Sequence, residues 1–143
     1  MVEIYEIINP EEQVLSAINQ LLPQLSKSSP SISLEYLETL SSSNNTKLFV
    51  AKESDSILGM LSVVFCMIPT GTKAWIEDVV VDKEARGKGI GKALMNHALK
   101  EAKNRGAKSV DLTSRPSRET ANELYKSIGF QVRETNIYRY KLL

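Results

Sequence analysis

The sequence predicts a mixed α/β fold, a sheet with helices on its faces, built as one domain over residues 1–143. Three observations carry that expectation. Segments with alternating apolar residues exchange along the chain with segments of helical period. Val79-Val80-Val81 is an unbroken β-branched run, the pattern of a strand covered on both faces. A Gly-rich turn, Arg86-Gly87-Lys88-Gly89-Ile90-Gly91, joins that strand to the clearest helix of the chain.

Taken in order, residues 2–8 alternate as a strand. Asn9-Pro10-Glu11-Glu12 then reads as a helix start, with Asn9 as N-cap, Pro10 at the first helical position and acids in the first turn. Leu15, Ile18 and Leu22 give that helix an apolar stripe. A polar loop over 26–33 leads to a short helix near 34–40, and residues 41–45 read as a turn. Residues 47–52 and 57–68 look like a hairpin around 53–56, and 72–82 is the next strand. The helix over 89–105 carries Ile90, Leu94, Ala98 and Ala102 at four-residue spacing, with Gly106 just past its end. A strand over 108–112 follows, then an amphipathic helix over 117–128 closed by Gly129, and a terminal hairpin over 130–143. The expected order is β-α-α-β-β-β-α-β-α-β-β.

Composition narrows the class. With 143 residues, 42% apolar and 24% charged, the chain has the make-up of a soluble globular domain with an ample core. Residues 1–45 hold six Glu against Lys27 alone, a balance of −5, so the remainder sums to +6 of the net +1. An acidic front suits a cationic acceptor and a basic back a polyanionic cofactor, although solvated helix faces would produce the same pattern. The single cysteine, Cys66, excludes an internal disulfide and a multi-cysteine zinc site, and no metal is expected. Lying in an apolar strand, Cys66 reads as core filler, and His97, on the inner stripe of its helix, as a packed ring. No basic-then-apolar leader opens the sequence, and the apolar stretch 57–68 is too short for a bilayer. A cytoplasmic protein without a membrane partner is the expectation.

The turn carries the chemistry. Glycines at three alternate positions allow positive φ and close backbone approach. The first N–H groups of the helix that follows are unpaired and sit at the positive end of its dipole, where a phosphate is the natural partner. Arg86, Lys88 and Lys92 add mobile positive charge. A nucleotide P-loop would need Gly where Arg86 stands and Ser or Thr where Ala93 stands. A dinucleotide fingerprint would need Gly or Ala at Lys92 or at Leu94. Both patterns fail, and a merely tight turn needs one glycine, not three with three cations.

Arg86-x-x-Gly89-x-Gly91, preceded by Ile76-Glu77-Asp78-Val79-Val80-Val81-Asp82, resembles the acetyl-CoA motif of the GCN5-related N-acetyltransferases, the GNAT family. Ala121-Asn122-Glu123-Leu124-Tyr125-Lys126-Ser127-Ile128-Gly129-Phe130 is similar to the family's second signature, at the expected distance downstream. The resemblance implies a mixed, mostly antiparallel central sheet flanked by helices, and direct transfer of acetyl from acetyl-CoA (coenzyme A) to a primary amine. It implies that the backbone of Val79, Val80 and Val81 pairs with the pantetheine arm, at a strand that carries a bulge and splays from its neighbour. The amides of Gly87, Lys88, Gly89, Ile90, Gly91 and Lys92, with Arg86 beside them, would hold the pyrophosphate. Tyr125 matches the family's general acid for the leaving thiolate; its place on the stripe Ala121, Leu124, Tyr125, Ile128 equally suits a core aromatic.

Glu77 is the candidate base for the amine, since it stands on the strand that would align the thioester. Strict alternation puts Glu77, Val79 and Val81 on one face and Asp78 on the other. Where many members of the family carry Asn, seven residues before the tyrosine, this chain has Arg118, and Asn122 is the substitute cofactor contact. The acceptor is open: a small-molecule amine, an aminosugar or a peptide amine. Family habit suggests a homodimer. Two other classes share parts of this pattern: a regulatory module that binds acetyl-CoA without turnover, and a nucleic-acid-binding domain. The intact Tyr125 and Glu77 argue against the first, and the local nature of the charge against the second.

Overall fold

The strands β1 (Glu3–Glu6), β2 (Thr46–Glu53), β3 (Ser56–Ile68), β4 (Gly71–Val81) and β5 (Val110–Asp111) lie side by side in chain order in one sheet, in a computed structural model that describes residues 2–143. The first four pair antiparallel and β5 runs parallel to β4. Helices α1 (Glu12–Leu25) and α2 (Leu34–Ser41) precede β2, α3 (Ile90–Asn104) links β4 to β5, and α4 (Glu119–Ile128) comes last. The chain gathers into two compact units, Met1–Thr113 and Ser114–Leu143. The sheet and α1 to α3 lie in the first and α4 in the second. Among the described residues no helix is long and apolar enough to cross a membrane.

Alternation along the strands sorts the core of the first unit. Leu48, Val50, Met60 and Val80 point to one face, where Ile18 and Leu21 of α1 and Leu37 of α2 cover them. Phe49 points to the other, its ring edge-on to His97 of α3 at 4.6 Å between centroids. Ile90, Leu94, Met95, Ala98 and Ala102 make the buried stripe of α3 at the spacing the sequence shows. Gly59 permits the close approach of α3: a Cβ there would meet the Val80 carbonyl at 3.0 Å, Leu94 at 3.3 Å and Ile90 at 3.4 Å.

Several expectations are corrected. Helix α1 starts at Glu12 with Glu11 as its cap residue, which makes no side-chain cap bond, so Asn9 and Pro10 lie outside it. The first intrahelical bond runs from the Leu15 N–H to the Glu11 carbonyl, and a cap signal in sequence locates such a start only to within a residue or two. Strand β5 is two residues long rather than five. Only Val80 of the valine run is buried; Val79 and Val81 stay partly open, because β5 pairs with Ala74 and Trp75 and reaches no further along β4. Cys66 is exposed, since the β3–β4 hairpin runs on past its last buried residue, Phe65.

The terminal hairpin is absent. The N–H groups of Gly129 and Phe130 close α4 on the Tyr125 carbonyl, and residues 130–143 then run without a strand. Val132, Tyr138, Tyr140 and Leu142 are exposed. Their alternation is the cue of a strand, yet a strand exists only where another edge completes its ladder.

Candidate active site

The site is built around a bulge in β4. Ser62 pairs with Glu77 and Met60 with Val80, so Asp78 and Val79 together stand opposite Leu61. One extra residue inverts the alternation beyond it. Glu77 therefore shares its face with Val80, not with Val79 and Val81 as strict alternation requires. Asp78 takes φ of +52°, a left-handed conformation that Asp tolerates better than most residues. Its side chain joins that of Glu77 on one cavity wall instead of facing away.

That cavity, about 300 Å³, lies between α1, α2 and the sheet. Ile18 and Leu22 of α1, Ile32 of the following loop, Tyr36 and Leu40 of α2, and Leu48, Met60 and Val64 of the sheet form its apolar walls. Thr46 and Ser62 contribute hydroxyls, and Glu77 and Asp78 the only charges among its described lining residues. The Trp75 indole N–H donates to Oε1 of Glu77 and orients it. Loss of water on the cavity wall pushes the Asp78 carboxyl above the usual carboxylate range, and the neighbouring Glu77 carboxylate adds to the rise. Asn19 of α1 holds Ile32 from both sides: its amide donates to the Ile32 carbonyl at 3.1 Å and accepts from the Ile32 N–H at 2.9 Å.

Just past β4, Asp82 accepts from the Glu84 N–H at 3.1 Å and caps a single 3-10 turn, Lys83–Ala85. The Gln24 side chain of α1 accepts from the Lys83 N–H at 2.8 Å and ties this loop to the helix. Arg86 donates through Nε to the Val81 carbonyl at 3.2 Å, which leaves its terminal nitrogens outward. Gly87 and Gly89 take φ of +82° and +79°, while Gly91 already lies within α3.

A Cβ at Gly87 or Gly89 would meet no atom within 4 Å, so these glycines border open space. No side chain caps the first turn of α3 and no acid lies in it. Lys88 and Lys92, on either side of the helix start, are exposed, and the first amides of a helix have no intrahelical partner. Ile90 offers only its backbone, since its side chain is buried. These features suit a pyrophosphate. The outer edge of β4 beyond Trp75 carries no partner strand among the described residues, and Val79 to Val81 lie along it.

Tyr125 and Asn122 belong to the second unit. Tyr125 is buried, with its ring 6.1 Å from that of Phe130. Burial pushes its phenol above the ordinary value, and the Arg118 charge pulls it partly back. Arg118 is the cap residue of α4. The Asn122 side-chain amide donates to the Arg115 carbonyl at 3.0 Å, which spends one donor on its own loop.

Comparison with known proteins places the chain. The acetyltransferase (GNAT) family model matches residues 2–130, and the chain belongs to that family. It is 35% identical over 98 residues to the N-alpha-acetyltransferase 30 of Schizosaccharomyces pombe, which covers 66% of this chain and 63% of that one. It is 30% identical over 133 residues to the glucosamine 6-phosphate N-acetyltransferase of Trypanosoma brucei brucei, covering 87% of each. The chain spans only 27% of the length of an archaeal N-acetyltransferase relative from Methanocaldococcus jannaschii. An aminoglycoside N-acetyltransferase solved with CoA shares the fold, with a TM-score of 0.82 over 99% of this chain and 95% of that one at 17% identity.

Proposed function

We propose that this chain moves the acetyl group of acetyl-CoA directly to a primary amine, residues 1–143 working as one N-acetyltransferase domain. One observation carries the reading: the Glu77 carboxylate stands on a cavity wall at the bulge, two residues before the valines whose outer edge pairs with no strand among the described residues. An amine held in the cavity thus meets a proton acceptor on the strand that runs into the phosphate-binding turn. Family membership and relatives named as N-acetyltransferases support the same chemistry.

The turn from Arg86 to Lys92 would hold the pyrophosphate, and the backbone of Val79 to Val81 the pantetheine arm, with one of its amides donating to the thioester oxygen as charge develops there. When bound, acetyl-CoA supplies an activated acetyl whose carbon–sulfur bond breaks as the carbon–nitrogen bond forms. Glu77 takes a proton from the amine, directly or through water. Tyr125, kept protonated by its raised pKa, is the assigned donor to the departing sulfur. Asn122 is assigned to the cofactor through its remaining polar atoms. The proton count closes: the amine loses one and the thiolate gains one.

The test is thiol release from acetyl-CoA in the presence of a panel of amines. Amine-dependent release is expected. Binding of acetyl-CoA without release for any amine would instead mark a regulatory module.

A further inference from the structure

We infer that the acceptor is a compact primary amine with an apolar body and no anionic group, an alkyl- or arylalkylamine seated in the cavity beneath α1 and α2. The inference rests on the acetyl-transfer reading above and names its substrate class.

Size, charge and stiffness converge on this class. About 300 Å³ is at the lower end of small-molecule sites, the scale of a single-ring amine. Among the described lining residues charge is confined to Glu77 and Asp78, with no Lys, Arg or His. An ammonium finds counter-charge there, whereas a phosphate ester would meet two carboxylates and no cation. The remaining wall is largely aliphatic, with Ile18, Leu22 and Leu48 on facing sides. A polyhydroxylated acceptor would find partners only at Tyr36, Thr46, Ser62 and the two carboxylates, and would set its other hydroxyls against aliphatic groups that cannot bond them.

The wall is also held in place. The two hydrogen bonds between the Asn19 side chain and the Ile32 backbone fix the loop that lines the cavity. Tyr36, 58% exposed while lining the cavity, leaves an aromatic face open to an apolar body.

The test compares kcat/KM, by thiol release, for 2-phenylethylamine, glucosamine 6-phosphate, sisomicin and a short peptide with a free N-terminal alanine. We expect phenylethylamine to lead by at least about tenfold. Preference for any of the other three overturns the inference and leaves acetyl transfer standing. Acetyl-CoA binding with no release for any amine overturns the acetyl-transfer reading, and the inference with it. Ile32→Trp fills the cavity from the loop. It should raise the KM for phenylethylamine at least about tenfold while the Kd for acetyl-CoA, which also reports a folded protein, stays unchanged. An unchanged KM in that variant would remove the cavity as the seat.

Discussion

The Trp75 indole N–H donates to Oε1 of Glu77 at 2.5 Å, across two residues of one strand and on one face of the sheet. Alternate residues of a strand share a face, so the bond forms without bending the backbone. It holds the carboxylate in one orientation immediately before the bulge at Asp78. A base that accepts a proton from a bound amine needs that kind of fixed geometry.

Glu77→Gln keeps the shape and the indole bond but cannot accept a proton. We expect kcat/KM to fall by about a hundredfold or more at neutral pH. The Kd for acetyl-CoA should stay where it was. Trp75→Phe should lower kcat/KM in the same direction by less, since it frees the carboxylate without removing it. Steady-state kinetics with a competent amine and calorimetry with acetyl-CoA check both. Full turnover by the Gln variant would take Glu77 out of the mechanism.

Asp78 makes an opposite stability prediction. Its folded-state pKa lies above the ordinary 3.8, so folding favours the protonated acid. The favourable share is fully present below pH 3.8 and is lost as pH rises through the folded value. At pH 7 the ionised group therefore weighs against the fold. Asp78→Asn removes the charge and still tolerates φ of +52°. It should raise Tm at pH 7, with the gain shrinking as pH drops through the folded value and gone below 3.8. A pH-independent change in Tm would show that repulsion and desolvation are not its cause.

Gly89→Val separates a ligand site from a tight turn. The new Cβ meets no protein atom within 4 Å, so the main cost to the fold is the backbone at φ of +79°. That cost is about 1–3 kcal/mol. We expect a folded protein with a lowered Tm and at least a tenfold weaker hold on acetyl-CoA, an order-of-magnitude figure for about 1.4 kcal/mol of lost binding. Unchanged binding, measured by calorimetry, would mean that the turn is only structural.

Tyr125→Phe removes one oxygen and keeps the ring beside Phe130. If the phenol protonates the leaving sulfur, kcat should drop roughly ten- to a thousand-fold while KM for acetyl-CoA moves little. A tyrosine that only packs would leave kcat unchanged. The raised pKa adds a pH prediction: the fall in kcat from ionisation of Tyr125 should have its midpoint above pH 10. Arg118→Ala, by removing the charge that pulls the value down, should move the alkaline limb still higher. A spectrophotometric phenol titration and the pH–rate profile read the two effects.

Much of this protein is legible in its residues one segment at a time. The period of α3, the hairpin of β2 and β3, and the glycines at 87 and 89 are local patterns, and local patterns survive into the fold because backbone sterics and helix periodicity act over a few residues. The positive-φ turn ahead of an uncapped helix is a clear case: residue types alone indicate an anion site there. Family resemblance added Tyr125, which its helical stripe would otherwise leave as a core aromatic. Gly59, inside a strand, was a readable sign of close backbone approach that the strand pattern alone did not resolve.

What only the tertiary structure decided depends on pairing between distant segments. The bulge exists because Met60 and Ser62 take Val80 and Glu77 as partners, two steps on one strand against three on the other. No window of β4 alone reveals that extra residue, and without it Asp78 seems to face away. The cavity needs Asn19 to reach across 13 residues to Ile32, and α1 to lie over β3 and β4. The alternating residues after Phe130 show the converse, since a strand pattern makes no strand without an edge to complete its ladder. Thus the sequence by itself determined the family, the helix that presents its amides and the residue types available for chemistry. Which of those residues share a face was left to strand register, an agreement between segments that one stretch of sequence cannot contain.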